Sequence, residues 1–158
     1  MNRKEIADSL KLSFAKYLYK KGFSSHFELS VNNKGGRLRA DVIANTIKGT
    51  IVIGETKSCY SDLTTDKKYI NYLDYCDRFY LVVTSKTYAV MLRKEYKLDK
   101  RVYVLVQPIS GNLKVKRKGK QLDLKTDQKL VVLSRMAWRS GEYSKATHSK
   151  KGNIKRAR

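Results

Sequence analysis

Acidic residues are scarce in this sequence. Fourteen Asp and Glu face thirty-five Lys and Arg, a formal net charge of +21. A field of that sign and size concentrates polyanions near the surface. DNA, RNA and anionic membranes all answer to it. The chain has no isolated amphipathic anchor and no lipidation motif, which makes membrane the weakest of the three and nucleic acid the strongest. Long apolar runs are missing as well. No stretch approaches the roughly 20 apolar residues that cross a bilayer. The start, Met1-Asn2-Arg3-Lys4-Glu5, turns at once into an amphipathic pattern rather than a leader.

There are two cysteines, Cys59 and Cys76, too few for a disulfide framework and without metal-ligand spacing. They read as reduced thiols, and the expected location is intracellular, cytoplasmic or nucleoid-associated. Two histidines, His26 and His148, leave no serine–histidine–acid arrangement to compete for chemistry. His26 reads as a strand-edge residue and His148 as part of a tail.

What is present suits one domain, residues 1–144, followed by a basic flexible tail, 145–158, that ends Lys155-Arg156-Ala157-Arg158. Ile6, Leu10, Phe14, Tyr17 and Leu18 recur at helical spacing from Arg3 to Lys21, and Gly22 stands where a C-terminal cap belongs. His26 to Val31 reads as a short strand, and Asn32 to Gly36 as a turn. Leu38 to Ala44 and Thr50 to Lys57 are β-rich and joined by Asn45-Thr46-Ile47-Lys48-Gly49, which predicts a hairpin. Ser61 is placed to cap a second helix running to about Tyr75. Arg78 to Thr84 and Arg101 to Val106 read as buried strands, the latter closed by the only proline, Pro108. Leu113 to Leu124 suggests a basic hairpin around Gly119, and Gln128 to about Arg139 a last helix. The order helix, three strands, helix, strand predicts an α/β fold: a mixed sheet with helices on it. Its hairpin strands are apolar on both faces and therefore central.

Within that hairpin the scarce acids acquire meaning. Glu55 and Lys57, in Gly54-Glu55-Thr56-Lys57, are two apart on a strand and share a face. The midpoint of positions 41 and 55 falls inside the turn, so Asp41 should lie directly across from Glu55, with Cβ atoms about 5 Å apart. Carboxylates that close repel unless a positive charge joins them. Hard oxygen donors select Mg²⁺ or Mn²⁺, which can polarise a phosphoryl oxygen and acidify a bound water. Lys57 would position that water and stabilise the charge that grows on phosphorus. Asp41, Glu55 and Lys57 are thus the candidate catalytic residues. The alternative is a set of ordinary ion pairs, Asp41 and Glu55 with Arg39 or Lys57, on a solvated edge.

Arg39-Ala40-Asp41-Val42-Ile43-Ala44 followed by Ile53-Gly54-Glu55-Thr56-Lys57 resembles the PD-(D/E)XK nuclease superfamily. Glu55-Thr56-Lys57-Ser58, Ser61-Asp62-Leu63, Asp66-Lys67-Lys68-Tyr69 and Tyr72 to Tyr80 look like the MmcB-type DNA repair nucleases, from about residue 28 to 84. A broader likeness is to archaeal-type Holliday junction resolvases. Ala40 replaces the proline usual before the aspartate. The resemblance implies a restriction-endonuclease-like core (αβββαβ), a Mg²⁺ or Mn²⁺ cofactor and cleavage of DNA in repair or recombination. It also implies a third carboxylate at the metal, for which Glu5 matches the resolvases and Glu28 the repair family. Asp62, Asp66 and Lys67 would flank the metal site.

The expected activity is that of a Mg²⁺-dependent endodeoxyribonuclease selective for branched DNA such as a Holliday junction, acting as a homodimer if it must cut two strands. Its alternative is a nuclease fold that binds nucleic acid without cutting. Candidate DNA contacts are Lys34, Arg37, Arg39, Lys67, Lys116, Arg117, Lys150, Lys151 and Arg156. No zinc finger or helix-turn-helix is available to read base edges, so selectivity is expected to come from DNA shape.

Overall fold

The first helix, α1 (Arg3–Tyr19), is set at both ends by local chemistry. The Asn2 side chain accepts from the Glu5 N–H, and the Glu5 carboxylate accepts from the Asn2 N–H, each at 2.9 Å; this reciprocal box satisfies two otherwise orphaned donors. At the other end Gly22 adopts φ +84. Its N–H reaches Tyr19 O at 3.0 Å and the Phe23 N–H reaches Leu18 O at 3.1 Å, a Schellman ending in the left-handed region that glycine favours. The helix stops short of the expected Lys21. Leu10, Phe14 and Leu18 form its buried stripe.

The structure, a computed structural model, describes residues 1–32 and 38–150, with side chains described as far as residue 141. Six strands follow one another: β1 (Ser24–Ser30), β2 (Arg39–Asn45), β3 (Ile51–Lys57), β4 (Arg78–Thr84), β5 (Val102–Gln107) and β6 (Lys114–Arg117). They lie in the sheet in chain order. The β1–β2, β2–β3 and β5–β6 pairs are antiparallel, and β3–β4 and β4–β5 are parallel. Each parallel connection carries helix, as a crossover requires. Between β3 and β4 stand α2 (Tyr60–Thr65), α3 (Tyr69–Tyr72) and a 3-10 turn, Leu73–Tyr75; between β4 and β5 stands α4 (Ser85–Arg93). The last helix, α5 (Thr126–Lys150), returns across the sheet. The result is the expected mixed α/β fold, with helices flanking a central sheet in the manner of a restriction-endonuclease-like core.

Apolar side chains cover both faces. On one, Leu10, Phe14 and Leu18 of α1 pack on Val42, Ala44, Val52, Val82 and Leu105. On the other, Leu63, Leu73, Met91, Val132 and Met136 pack on Ile43, Ile51, Ile53, Phe79 and Leu81. Every residue of β3 is buried. Gly54 lets α1 approach the sheet closely: a Cβ there would lie 2.1 Å from Phe14 Cε1. The first residue of β3 is tied down from outside, since Asp77 Oδ2 accepts from the Ile51 N–H at 2.8 Å and pairs with Lys129 Nζ at 3.1 Å.

Several local expectations are corrected. The second helix is broken at Asp66, whose φ −105 and ψ 97 are extended, and its N-cap is Cys59 rather than Ser61. Ser61 instead offers its carbonyl to the Thr64 and Thr65 hydroxyls. The basic hairpin around Gly119 is a single strand, β6. Gly119 abuts the Arg101 carbonyl, leaving 2.2 Å for a Cβ, and Leu122 N–H bonds to Asp77 O, so the segment runs past the starts of β5 and β4 instead of folding back on itself. The helix α4 is additional, started by Thr84, whose side chain accepts from the Thr87 N–H. The final helix extends beyond Arg139 through residues 145–150, the first part of the expected basic tail, while 151–158 lie outside the described residues. Among the described residues no helix is long and apolar enough to cross a membrane.

Candidate active site

The β2–β3 register pairs Val42 with Gly54 and Ile43 with Ile53. Continued by one residue, it sets Asp41 against Glu55. Side-chain hydrogen bonds lock the arrangement. The Asp41 N–H donates to Glu55 Oε1 at 3.2 Å, and Asp41 Oδ2 accepts from both the N–H and the hydroxyl of Thr56, each at 2.8 Å. Both carboxylates line one open cavity of about 500 Å³ together with Lys57, Lys11, Arg39, Asp66, Lys68 and Tyr72. The cavity opens where the C-terminal end of β3 passes between α1 and the α2–α3 segment.

Electrostatics there are tense. Glu55 is only 7% exposed. Burial, and next the charge of Asp41, push its carboxyl up to about 8, against the pull of Lys57. Tyr72, whose hydroxyl donates to the Arg39 carbonyl at 2.8 Å, is raised by burial and then by the charges of Glu55 and Asp41. Lys57 is buried and its ammonium donates to Asp66 Oδ2 at 2.6 Å. Burial works to raise the Asp66 carboxyl, but the bonds from Lys57 and from the Lys68 N–H override it and hold it low. The extended Asp66 backbone that interrupts the helix is therefore what turns this carboxylate toward Lys57.

Lys11 of α1 is a second cation in the cavity. Its ammonium hydrogen-bonds Glu28 and lies 3.9 Å from Asp41 Oδ1. Burial alone would lower its pKa; Glu28, Asp41 and Asp8 reverse that and raise it. Glu28 also pairs with Arg39 Nε at 3.0 Å. It reaches both cations from a left-handed backbone, φ +52, which a glutamate adopts at a conformational cost of about 1 kcal/mol or more.

The sequence-predicted residues therefore divide. Asp41, Glu55, Lys57, Arg39, Asp62 and Asp66 come together at the cavity. Glu28 touches it through Lys11 and Arg39. Glu5 does not line it; its carboxylate sits at the N-cap of α1. Lys67 is exposed in the break between α2 and α3. Lys116 and Arg117 lie on β6, three strands from β3, and Arg117 donates to the Leu98 and Asp99 carbonyls. Lys34, Arg37, Lys151 and Arg156 lie outside the described residues, as does the side chain of Lys150. Lys11, Thr56, Lys68 and Tyr72 were not singled out from the sequence. Lys11 left one trace: it interrupts the Ala7, Phe14, Leu18 stripe of α1.

The donor set fits a hard divalent cation. Asp41 and Glu55 supply adjacent oxygens in need of positive charge, and Mg²⁺ commonly takes one or two carboxylates and keeps several waters. No group of three or more His, Cys, Asp or Glu arranged to hold a metal occurs among the described residues. The protein's share of such a site is those two carboxylates.

Comparison with known proteins adds three findings. A family model described as "DNA repair protein MmcB-like" matches residues 2–98. A solved structure described as the SPO1766 protein of unknown function from Silicibacter pomeroyi is similar in fold, with TM-score 0.74, 24% identity and 94% of each chain covered. Pyrococcus furiosus SfsA, solved in complex with Ca²⁺, gives a TM-score of 0.34 at 15% identity over 77% of this chain and 64% of that one. No curated protein matches significantly.

Proposed function

Because the chain belongs to the MmcB-like DNA repair protein family, we propose that it is a metal-dependent endodeoxyribonuclease of the PD-(D/E)XK kind that hydrolyses phosphodiester bonds in branched DNA. The observation that carries this reading is the hydrogen-bonded apposition of Asp41 and Glu55 across the hairpin, with Lys57 two residues along the same strand. Asp41 and Glu55 would hold Mg²⁺ or Mn²⁺, which when bound supplies a Lewis acid for a phosphoryl oxygen and a more acidic water.

The chain's own groups divide the remaining work. Thr56 fixes the orientation of Asp41 through two hydrogen bonds. Asp66 holds the Lys57 ammonium at the cavity wall, where it stabilises negative charge growing on the phosphoryl oxygens. Arg39 and Lys68, on the cavity lining, are placed for flanking phosphates. Without a reader of base edges, selectivity rests on DNA that is already bent or unpaired.

A second reading, a binder without catalysis, draws on the ion pairs that already engage Lys57 with Asp66 and Lys11 with Asp41 and Glu28. One experiment separates the two. Supercoiled plasmid and a four-way junction are incubated with wild type, Asp41→Asn, Glu55→Gln and Lys57→Ala, with Mg²⁺ or with EDTA. Wild type with Mg²⁺ should cut, preferring the junction. The variants should bind and not cut. Undiminished cutting in EDTA, or a variant at near wild-type rate, overturns the assignment.

A further inference from the structure

Beyond the carboxylate cavity, α5 and the edge strand β1 enclose a second groove of about 570 Å³. Its lining includes Leu29, Ser30, Val131, Arg135, Trp138 and Arg139, with no Asp or Glu among the described residues. Trp138 is 68% exposed, and Leu130 and Val131, on the same groove, are 60% and 47% exposed, an apolar step next to basic side chains. Two guanidiniums flank it. Arg139 Nη2 donates to the Glu28 carbonyl at 3.0 Å and Arg135 Nη1 to the Ser30 carbonyl at 3.3 Å, while Arg135 Nε, although buried, has no acceptor among the described residues.

The groove is one strand pairing away from the cavity. Ser30, on its wall, pairs with Arg39, which lines the carboxylate site, and Glu28 is held by Arg139 through its carbonyl and by Arg39 through its carboxylate. A nucleic-acid strand leaving the cavity over Arg39 therefore meets Arg139, Trp138 and Arg135 next. An indole face flanked by guanidiniums is the chemistry that stacks an unpaired base while attracting its phosphates. In duplex DNA the base faces are covered by their neighbours.

We infer that the Trp138 groove is a binding site for single-stranded DNA, which receives the unpaired strand adjoining the scissile bond. This rests on the nuclease reading for its biological use, but the binding itself does not need catalysis.

Trp138 is the sole tryptophan of the chain, so its fluorescence reports on this groove alone. The full-length protein in EDTA is titrated with oligo-dT and with a duplex at equal phosphate, followed by tryptophan emission and by anisotropy of labelled oligonucleotide. Oligo-dT should quench the emission and the duplex should leave it nearly unchanged. Trp138→Ala, at an exposed position that leaves the core intact, should weaken oligo-dT binding roughly ten-fold, about what one stacked base contributes. Trp138→Phe should recover most of the loss, and the slope of log affinity against log salt should stay the same because no phosphate contact is removed.

Several results overturn the inference: oligo-dT binding without quenching, no oligo-dT binding at all, equal quenching by duplex, or Trp138→Ala within two-fold of wild type. A protein-concentration-dependent emission shift indifferent to DNA assigns the groove to a second copy of the chain and overturns it too. Quenching by a protein that nicks no plasmid in Mg²⁺ removes the catalytic reading and keeps the groove. Nicking without quenching does the opposite.

Discussion

Glu55 concentrates the energetic conflict of the molecule in one carboxyl. Its ordinary value of 4.5 is raised to about 8 by burial and by Asp41. Between those two values the folded chain retains a proton that the unfolded chain has released. The folded state then binds more protons, so unfolding free energy falls as pH rises across that window and levels off above it. Urea titrations of the metal-free protein from pH 4.5 to 8.5 should show this decline, and Glu55→Gln, which cannot ionise, should flatten it. A wild-type profile that rises with pH across the window would contradict the burial and Asp41 effects as causes. The facing pair was legible in the sequence because both carboxylates lie in apolar strands about a short turn. Lys11 and Tyr72 were not, because they reach the cavity from elements whose docking depends on tertiary packing.

The hairpin, by contrast with its surroundings, was written locally. Asn45 to Thr50 closes it with the Thr46–Thr50 hydrogen bond and a left-handed Gly49 at φ +85, and the apolar runs on either side determine its register. Gly54 in the same strand carries a different kind of information. A methyl at that position would stand 2.1 Å from the Phe14 ring, so Gly54→Ala should destabilise the fold by about 1–3 kcal/mol through overpacking. Phe14→Leu in the same chain should return part of that loss, and chemical denaturation of the single and double variants measures both. An unaffected midpoint for Gly54→Ala would mean that α1 does not pack on β3 at this point. Where the helical reading failed, long-range demands had won over local pattern. Asp66 leaves helical geometry and makes an ion pair with Lys57, Gly119 and Leu122 pack against the starts of β5 and β4, and α4 is a nine-residue helix too short to stand out between two strands. The last helix exceeded its expected end because its reading stopped with the apolar pattern, and helical backbone does not require an apolar face in every turn.

At the scale of the whole molecule, sheet order equals chain order. Each strand can therefore dock beside the one made just before it, without waiting for distant chain, and pairings close in sequence are the quick ones to form. The α1–β3 portion contains every described group that lines the carboxylate cavity except Ser58, Asp62, Asp66, Lys68 and Tyr72, which follow within fifteen residues of β3. The last helix, α5, departs from this local order, since it returns from the end of the described chain to pack on Leu29 and Ser30 of β1. Assembly should accordingly run in two kinetic steps, the sheet first and the closure of α5 on its far edge last. Stopped-flow refolding followed by tryptophan emission should lag behind the recovery of backbone circular dichroism, because the only tryptophan rides on α5; simultaneous traces would place α5 in the folding nucleus instead. During synthesis the same order has a further meaning: a nascent chain can complete its carboxylate cavity before the helix that carries Trp138 has emerged from the ribosome.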